Sequence, residues 1–245
     1  MISDEELTAR IEPFDSFWEA PPDIEAGYRS VGRYYEHNYL RFMPADRRAR
    51  ILVVSCGPGY MLEMLRQQGF TRARGIDSSP EKVQMAVNRG LDARTARVFA
   101  YLSENREPFD AIFAEQEINH LTKREILQFL AACRENLSPG GALIVHSVNG
   151  ANPLTGSESR AGNFDHYNSF TEHSLKQVFL HAGYVDPEAI PLNLYVFFRN
   201  PLNYVAWALV ALSFLLFRAY YTLLGKTARV YTKKIGAVGY APKPS

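Results

Sequence analysis

An apolar run breaks into a turn at ILVVSCGPG, residues 51–59, and the turn consists of Ser55, Cys56, Gly57, Pro58 and Gly59. Glycines at 57 and 59 let a backbone approach a ligand closely, because a side chain there would occupy the ligand's space. Eighteen positions beyond Gly59, Arg-Gly-Ile-Asp ends on Asp77, where a carboxylate can accept hydrogen bonds from two vicinal ribose hydroxyls. Each feature has a plainer alternative: a structural turn for the loop, and for Asp77 a cap on the helix opened by Ser78-Ser79-Pro80. Residues 57–62 read Gly-Pro-Gly-Tyr-Met-Leu, without the third glycine of a dinucleotide loop, and no Gly-Lys-Ser/Thr ending marks a P-loop. The pattern therefore points to a nucleoside ligand that carries no phosphates.

These residues need a frame that sets them side by side. Short apolar runs at 51–55, 73–77, 94–98, 110–114 and 141–147 alternate with helical patterns at 60–68, 80–89, 123–137 and 171–182. Strands separated by helices imply parallel neighbours joined by crossovers, and hence a doubly wound α/β sheet covered on both faces. In such a sheet ligands sit outside the carboxyl ends of the strands, where the glycine turn lies. Ser79-Pro80-Glu81 opens one helix, Thr171 caps another with Ser174 three positions on, and Ser138-Pro139-Gly140-Gly141 breaks the helix before the fifth strand. Before the first strand, Tyr28, Val31, Tyr34, Tyr35, Tyr39 and Phe42 recur at helical spacing. That aromatic face reads either as core or, for a residue such as Tyr34, as the wall of a substrate mouth.

At 245 residues, with 47% hydrophobic and 22% charged residues, the chain can bury a real core. A formal net charge of +1 with dispersed basic residues argues against nucleic acid as a partner. The two cysteines, Cys56 and Cys133, have no CxxC or zinc-type spacing and suit a reducing cytoplasm. The acidic start MISDEELTAR lacks the pattern of a secretory signal.

In the order ILVVSCGPG, GIDSSPEKVQMA, FDAIFAEQEINHL and LSPGGALIV, spanning roughly residues 30–185, the chain resembles the class I S-adenosylmethionine-dependent methyltransferases. The resemblance implies a seven-stranded, mostly parallel, Rossmann-like sheet and S-adenosyl-L-methionine as cofactor. Carried over by position, Ser55, Cys56, Gly57 and Gly59 form the loop on the methionine part, Asp77 holds the ribose, and Ser78 lies beside the adenine with Arg97 and Val98. The segment Glu115-Gln116-Glu117-Ile118-Asn119-His120 faces the methyl donor, with Gln116 among the cofactor contacts. Two positions depart from the family: Val53 replaces its acid, and Ser55 replaces the first glycine of its loop.

Methyl transfer from a sulfonium is an in-line displacement in which positioning supplies much of the rate, and a general base helps when the acceptor is a hydroxyl. His120 resembles the histidine of the family's "EH" pair and is the first candidate for that base, with a helix-capping role as its alternative; His166 is the second. Asn119 stands where the family often has an acid, so no catalytic metal is expected. The polar segment from His146 to Thr171 resembles that of methyltransferases of bacterial polysaccharide and glycolipid synthesis. It nominates Asn149, Asp165 and Tyr167 as substrate contacts, each with a turn network as the alternative.

Residues 204–217, YVAWALVALSFLLF, are almost wholly apolar and long enough, with their continuation, to span a bilayer. Tyr195-Val196-Phe197-Phe198 before them and residues 235–240 after them read as the final antiparallel strand pair. A single crossing would strand one of that pair on the wrong side, so a helix lying in one leaflet fits better, with cations at its end for anionic headgroups. The expected organisation is a helical lead-in over 1–45, a methyltransferase core over 46–200, the apolar helix over 201–228, and a final strand and tail over 229–245. The leading reading is O-methylation of a sugar, glycolipid or other small-molecule acceptor by a cytoplasmic enzyme peripheral to the inner membrane, docked through residues 203–225. Two alternatives stay open: a catalytically weak scaffold of a membrane synthase, and a methyltransferase of a soluble metabolite whose apolar helix makes a homodimer.

Overall fold

The computed structural model describes residues 24–115, 117–164, 166–193 and 201–244. In chain order the elements are α1 (Ile24–Tyr39), a 3-10 turn (Leu40–Phe42), β1 (Arg50–Val54), α2 (Tyr60–Gln67), β2 (Arg72–Asp77), α3 (Pro80–Asn88), β3 (Ala93–Thr95) and α4 (Val98–Glu104). They continue as β4 (Phe109–Ala114), α5 (Glu117–His120), α6 (Lys123–Glu135), β5 (Leu137–Val148), α7 (Gly156–Ala161), α8 (Glu172–His181), β6 (Val185–Leu192), α9 (Leu202–Leu223) and β7 (Lys234–Tyr240).

The strands form one sheet in the order β3-β2-β1-β4-β5-β7-β6. β1 to β5 pair in parallel, and β7 runs antiparallel to both β5 and β6. A parallel strand buried on both faces reads as an unbroken apolar run, and in β1 Ile51 and Val53 pack into one helical layer while Leu52 and Val54 pack into the other. The first layer is built on Tyr35 and Tyr39 of α1, Leu65 of α2 and Val83 of α3. The second rests on Leu102 of α4, Phe129 of α6 and Phe179 of α8. This is the doubly wound sheet expected from the alternation of strands and helices, with the seven strands that the family resemblance implied.

Several boundaries differ from the sequence reading, each for a physical reason. β3 stops at Thr95, and Arg97 becomes the N-cap of α4, so the adenine-side pair Arg97 and Val98 starts a helix instead of ending a strand. The sixth strand is β6, in VDPEAIPL, and the expected 195–198 segment lies outside the described residues. Pro187 and Pro191 make that sequence look like a loop, yet β6 is the sheet edge, where a missing amide donor costs no ladder bond. β5 begins at Leu137, ahead of the Ser138–Gly141 break, which survives as a register irregularity opposite Phe109 and Ala111. Thr171 and Ser174 form the expected cap, with the Thr171 amide donating to Ser174 Oγ at 2.8 Å.

The lead-in helix is fastened directly to the glycine turn. Tyr28 of α1 donates its hydroxyl to the Pro58 carbonyl, and the Arg89 guanidinium lies 3.8 Å over the Tyr28 ring while pairing with Glu25. At its other end, Asn38 exchanges two hydrogen bonds with the backbone of Asn193, just past β6. α9 is different: none of its residues is buried, its rings at Phe214, Phe217 and Tyr221 lie against Tyr231, and Tyr221 donates its hydroxyl to the Ala151 carbonyl.

Candidate active site

The β1–α2 turn is shaped by its own backbone and by Asp77. Ser55 and Gly57 both adopt φ of 52°, and Gly59 adopts φ of 91° as the N-cap of α2. The Cys56 amide donates to the Ile76 carbonyl, and the Gly57 amide donates to Asp77 Oδ2 at 2.8 Å. Asp77 Oδ1 accepts from the Ser79 amide at 2.9 Å, and the carboxylate is buried. Each of its oxygens keeps a second lone pair for a further donor. The two glycines do different work: a Cβ at Gly57 would meet nothing within 4 Å, whereas one at Gly59 would lie 2.6 Å from Leu91 Cδ1. Gly57 thus borders open space, and Gly59 lets α2 sit tightly on α3. Cys56 is buried, and burial with the nearby Asp77 charge pushes its thiol up to about 12, so it serves as packing and not as a nucleophile. Ser78 is exposed beside the turn, Arg97 is exposed, and Val98 packs partly into the core.

At the ends of β4 and β5 the structure gathers His120 and His166. Their rings stand edge to face with centroids 4.9 Å apart. His166 Nδ1 lies 3.0 Å from the Ser159 carbonyl; a carbonyl only accepts, so Nδ1 carries the proton and Nε2 is the basic nitrogen. His166 also lines a cleft of about 500 Å³ together with Gly150, Gly156, Arg160, Asn163 and Phe164. Asn119 anchors this region: its carbonyl accepts from the Tyr167 and Asn168 amides, and its side-chain oxygen accepts from the Ser147 hydroxyl. Tyr167 is exposed and is not among the residues that line the cleft, while Gln116 and Asp165 lie outside the described residues.

Two nominated substrate contacts are placed elsewhere. Asn149 is fully buried and spends its side chain on the Val230 and Thr232 carbonyls and the Ala151 amide, so it straps the chain between α9 and β7 to the end of β5. The turn network was its alternative, and the structure selects it. Tyr34 is buried under α1 with its ring 6.1 Å from that of His146, and does not border the His166 cleft.

His146 is the residue that sequence reasoning left without a role. It is fully buried on β5, its Nδ1 stands 3.5 Å from Glu115 Oε1, and neither ring nitrogen has a hydrogen-bond partner among the described residues. Burial, with the Lys234 charge nearby, holds it well below the ordinary histidine range and therefore neutral. The available signal was a histidine inside the otherwise apolar strand ALIVHSV.

The sequence pattern of the methyltransferase domain family matches residues 27–188, a stretch that starts in α1 and holds the glycine turn, Asp77, His120 and the cleft. The chain belongs to that family, as a class I S-adenosylmethionine-dependent methyltransferase. A curated relative, the ubiquinone biosynthesis O-methyltransferase of Xylella fastidiosa, is 35% identical over 107 residues, covering 41% of this chain and 42% of that protein. The methyltransferase thus spans less than half the length of that relative. Among solved structures, a SAM-dependent methyltransferase from Archaeoglobus fulgidus superposes with a TM-score of 0.65 at 14% identity, over 87% of this chain and 94% of that one. Phosphoethanolamine N-methyltransferase 2 of Haemonchus contortus, in complex with S-adenosyl-L-methionine, gives 0.57 at 14% identity, over 94% and 60%. At such identities these two show the fold alone.

The cofactor of this methyltransferase is S-adenosyl-L-methionine, and the residues present fit it. Open space above Gly57 admits a ligand against the turn, and Asp77 offers its remaining lone pairs at the ribose position. The loss of an acid at Val53 is a packing matter, since Val53 is buried in the first layer and points no polar group toward the crevice.

Proposed function

We propose that this methyltransferase transfers a methyl group to a hydroxyl oxygen of a small-molecule acceptor held in the cleft beside His166. The observation that carries the reading is the His120–His166 pair, in which the Ser159 carbonyl fixes the tautomer that leaves Nε2 basic. When bound, S-adenosylmethionine supplies an electrophilic methyl group. Asp77 orients its nucleoside end, and a histidine at the cleft takes the hydroxyl proton as the new bond forms. The relative's name as an O-methyltransferase supports oxygen as the acceptor atom. That relative is named for ubiquinone biosynthesis and not for the sugar or saccharide acceptor expected from the polar segment, so the acceptor class proposed is the broader one. A positioned base contributes roughly 10²–10⁴-fold, so His166→Asn or His120→Asn should lower kcat by at least about 100-fold with the donor affinity intact. Unchanged turnover in both variants contradicts the assignment.

The same reading places the enzyme on the cytoplasmic face of the inner membrane. Support comes from α9: a 22-residue helix with an 18-residue stretch of mean hydropathy 1.6 and no buried residue. No acidic residue follows Glu188, whereas seven Lys and Arg do, which favours anionic headgroups as partner. The helix leaves after β6 and returns to β7 in the same sheet, so it must enter and exit on one side. Burial of α9 against a second copy of the chain is the competing outcome.

A further inference from the structure

We propose that the rim of the His166 cleft enters the same lipid surface as α9, through Leu154 and Phe164, so that the acceptor is an amphipath presenting its hydroxyl from the bilayer. This rests on the membrane docking of α9 proposed above and names the class of acceptor that such docking serves.

One loop joins the helix to the cleft. Gly150, between β5 and α7, lines the cleft, and the carbonyl of the next residue, Ala151, accepts the Tyr221 hydroxyl of α9 at 3.3 Å. Asn152 extends the joint: its side-chain nitrogen donates to the Tyr231 carbonyl at 2.6 Å, and its oxygen accepts the Leu154 and Thr155 amides at 2.9 Å. Asn152 is buried, so the joint is part of the fold. Tyr231 is the residue on which α9 rests, its ring 5.3 Å from that of Tyr221 and 6.1 Å from that of Phe217. A surface that receives α9 therefore reaches the loop that walls the cleft.

That loop carries apolar side chains outward. Leu154 precedes α7 and Phe164 follows it, and they are 73% and 81% exposed. Phe164 also lines the cleft. One exposed apolar residue is ordinary, but two large ones flanking a cleft, beside the anchor of an apolar helix with no buried residue, make a patch of the kind that marks an interaction site.

Charge favours lipid over a second copy of the chain as the occupant. Across residues 149–164 and 202–234 the cations are Arg160, Arg218, Lys226, Arg229, Lys233 and Lys234, against Glu158 alone as an acid. Arg160 lines the cleft, and the Arg218 charge acts on the Tyr231 hydroxyl. A symmetric dimer through this face would set these cations against their own copies, whereas anionic headgroups neutralise them. The cleft itself is polar, with Ser157, Arg160, Asn163 and Ser169 beside His166. A polar pocket with an apolar rim suits a molecule whose hydroxyl head enters while its tail stays in lipid. In the transfer, the acceptor oxygen bonds the methyl carbon, His166 takes its proton, and the breaking carbon–sulfur bond leaves its electron pair on sulfur.

The native cysteines, Cys56 and Cys133, are buried, so an introduced surface cysteine in the full chain can be labelled selectively. With vesicles containing anionic phospholipid, an environment-sensitive fluorophore on Leu154→Cys or Phe164→Cys should shift to the blue and be quenched by spin-labelled lipid. One on Met85→Cys, exposed on α3 at the β2–β3 end of the sheet, should continue to report water. Leu154→Ser combined with Phe164→Ser should partition into the same vesicles about tenfold or more weakly than wild type. Labelled chains that float with both fluorophores still in water, or a double variant that partitions like wild type, overturn the proposal. Absence of flotation by the wild type would instead remove the docking of α9 on which it rests. Supplied with methyl-deuterated S-adenosylmethionine and with separate lipid and aqueous extracts of the source cell, the chain should place the label in a lipid-soluble product; a label confined to the aqueous extract overturns the acceptor class.

Discussion

Asp77 and Gly57 are joined by a 2.8 Å hydrogen bond in which the turn's own amide donates to the carboxylate. The second oxygen takes the amide of Ser79 ahead of α3, so one side chain fixes both the glycine turn and the entry to the next helix. The residue expected to hold a ribose is therefore also the clip that shapes the loop. A ribose held by Asp77 would couple cofactor binding to local folding.

Asp77→Asn should expose that coupling. An amide group has one oxygen to accept with and must turn its NH2 toward the other backbone donor, so one charge-assisted bond is lost, at a cost of about 1.5–3 kcal/mol. The expected outcome is a lower melting temperature together with at least tenfold weaker S-adenosylmethionine binding by titration. A variant that melts and binds like wild type would show that Asp77 is neither clip nor ligand.

The two turn glycines should fail in different ways. Gly57→Ala puts a methyl group into open space at φ of 52°, with strain of about 1–2 kcal/mol, so the chain folds but loses donor affinity. Gly59→Ala drives its methyl to 2.6 Å from Leu91 Cδ1, adding overpacking of about 1–3 kcal/mol to similar strain. Thermal melts should rank Gly59→Ala below Gly57→Ala; the reverse order contradicts these roles.

His146 gives the fold an acid-sensitive element. An unfolded chain takes up this proton near 6.5, while the folded chain resists until well below that. Between those limits the unfolded state binds more protons, so His146's contribution is intact above about 6.5 and declines as the pH falls. His146→Phe removes the titrating group and its two partnerless nitrogens, and should flatten the drop in melting temperature between pH 7 and pH 5. An identical acid profile in the variant would place the sensitivity elsewhere.

Membrane docking predicts flotation of the full chain with vesicles containing anionic phospholipid, weakened by high salt. Trp207 and Leu216 are 58% and 61% exposed on α9, so Trp207→Glu with Leu216→Glu should leave the domain folded and abolish flotation. A wild-type chain that ignores vesicles and sediments as a dimer would assign α9 to a subunit interface.

Much of the frame was legible because parallel strands buried on both faces leave unbroken apolar runs such as ILVV and AIFA, and because Asp77 ends one at a fixed distance from the glycines. β6 was hidden by prolines that only an edge strand tolerates. Asn149 read as a ligand contact because an asparagine in a polar loop looks the same whether it faces a substrate or straps a distant segment. The partners of His146 and Glu115 come from α1, β4, β5 and β7, far apart in sequence, and a pattern along the chain carries no record of that convergence.

The central claim, methyl transfer to a hydroxyl, is tested most directly by incubating the chain with S-adenosylmethionine labelled with deuterium in its methyl group and a panel of phenolic and aliphatic alcohols, then analysing products by mass spectrometry and NMR. The account predicts a trideuteromethyl ether and an equal amount of S-adenosylhomocysteine, both greatly reduced in His166→Asn. A label found on nitrogen or carbon, or no transfer by a chain that binds the donor, would contradict it.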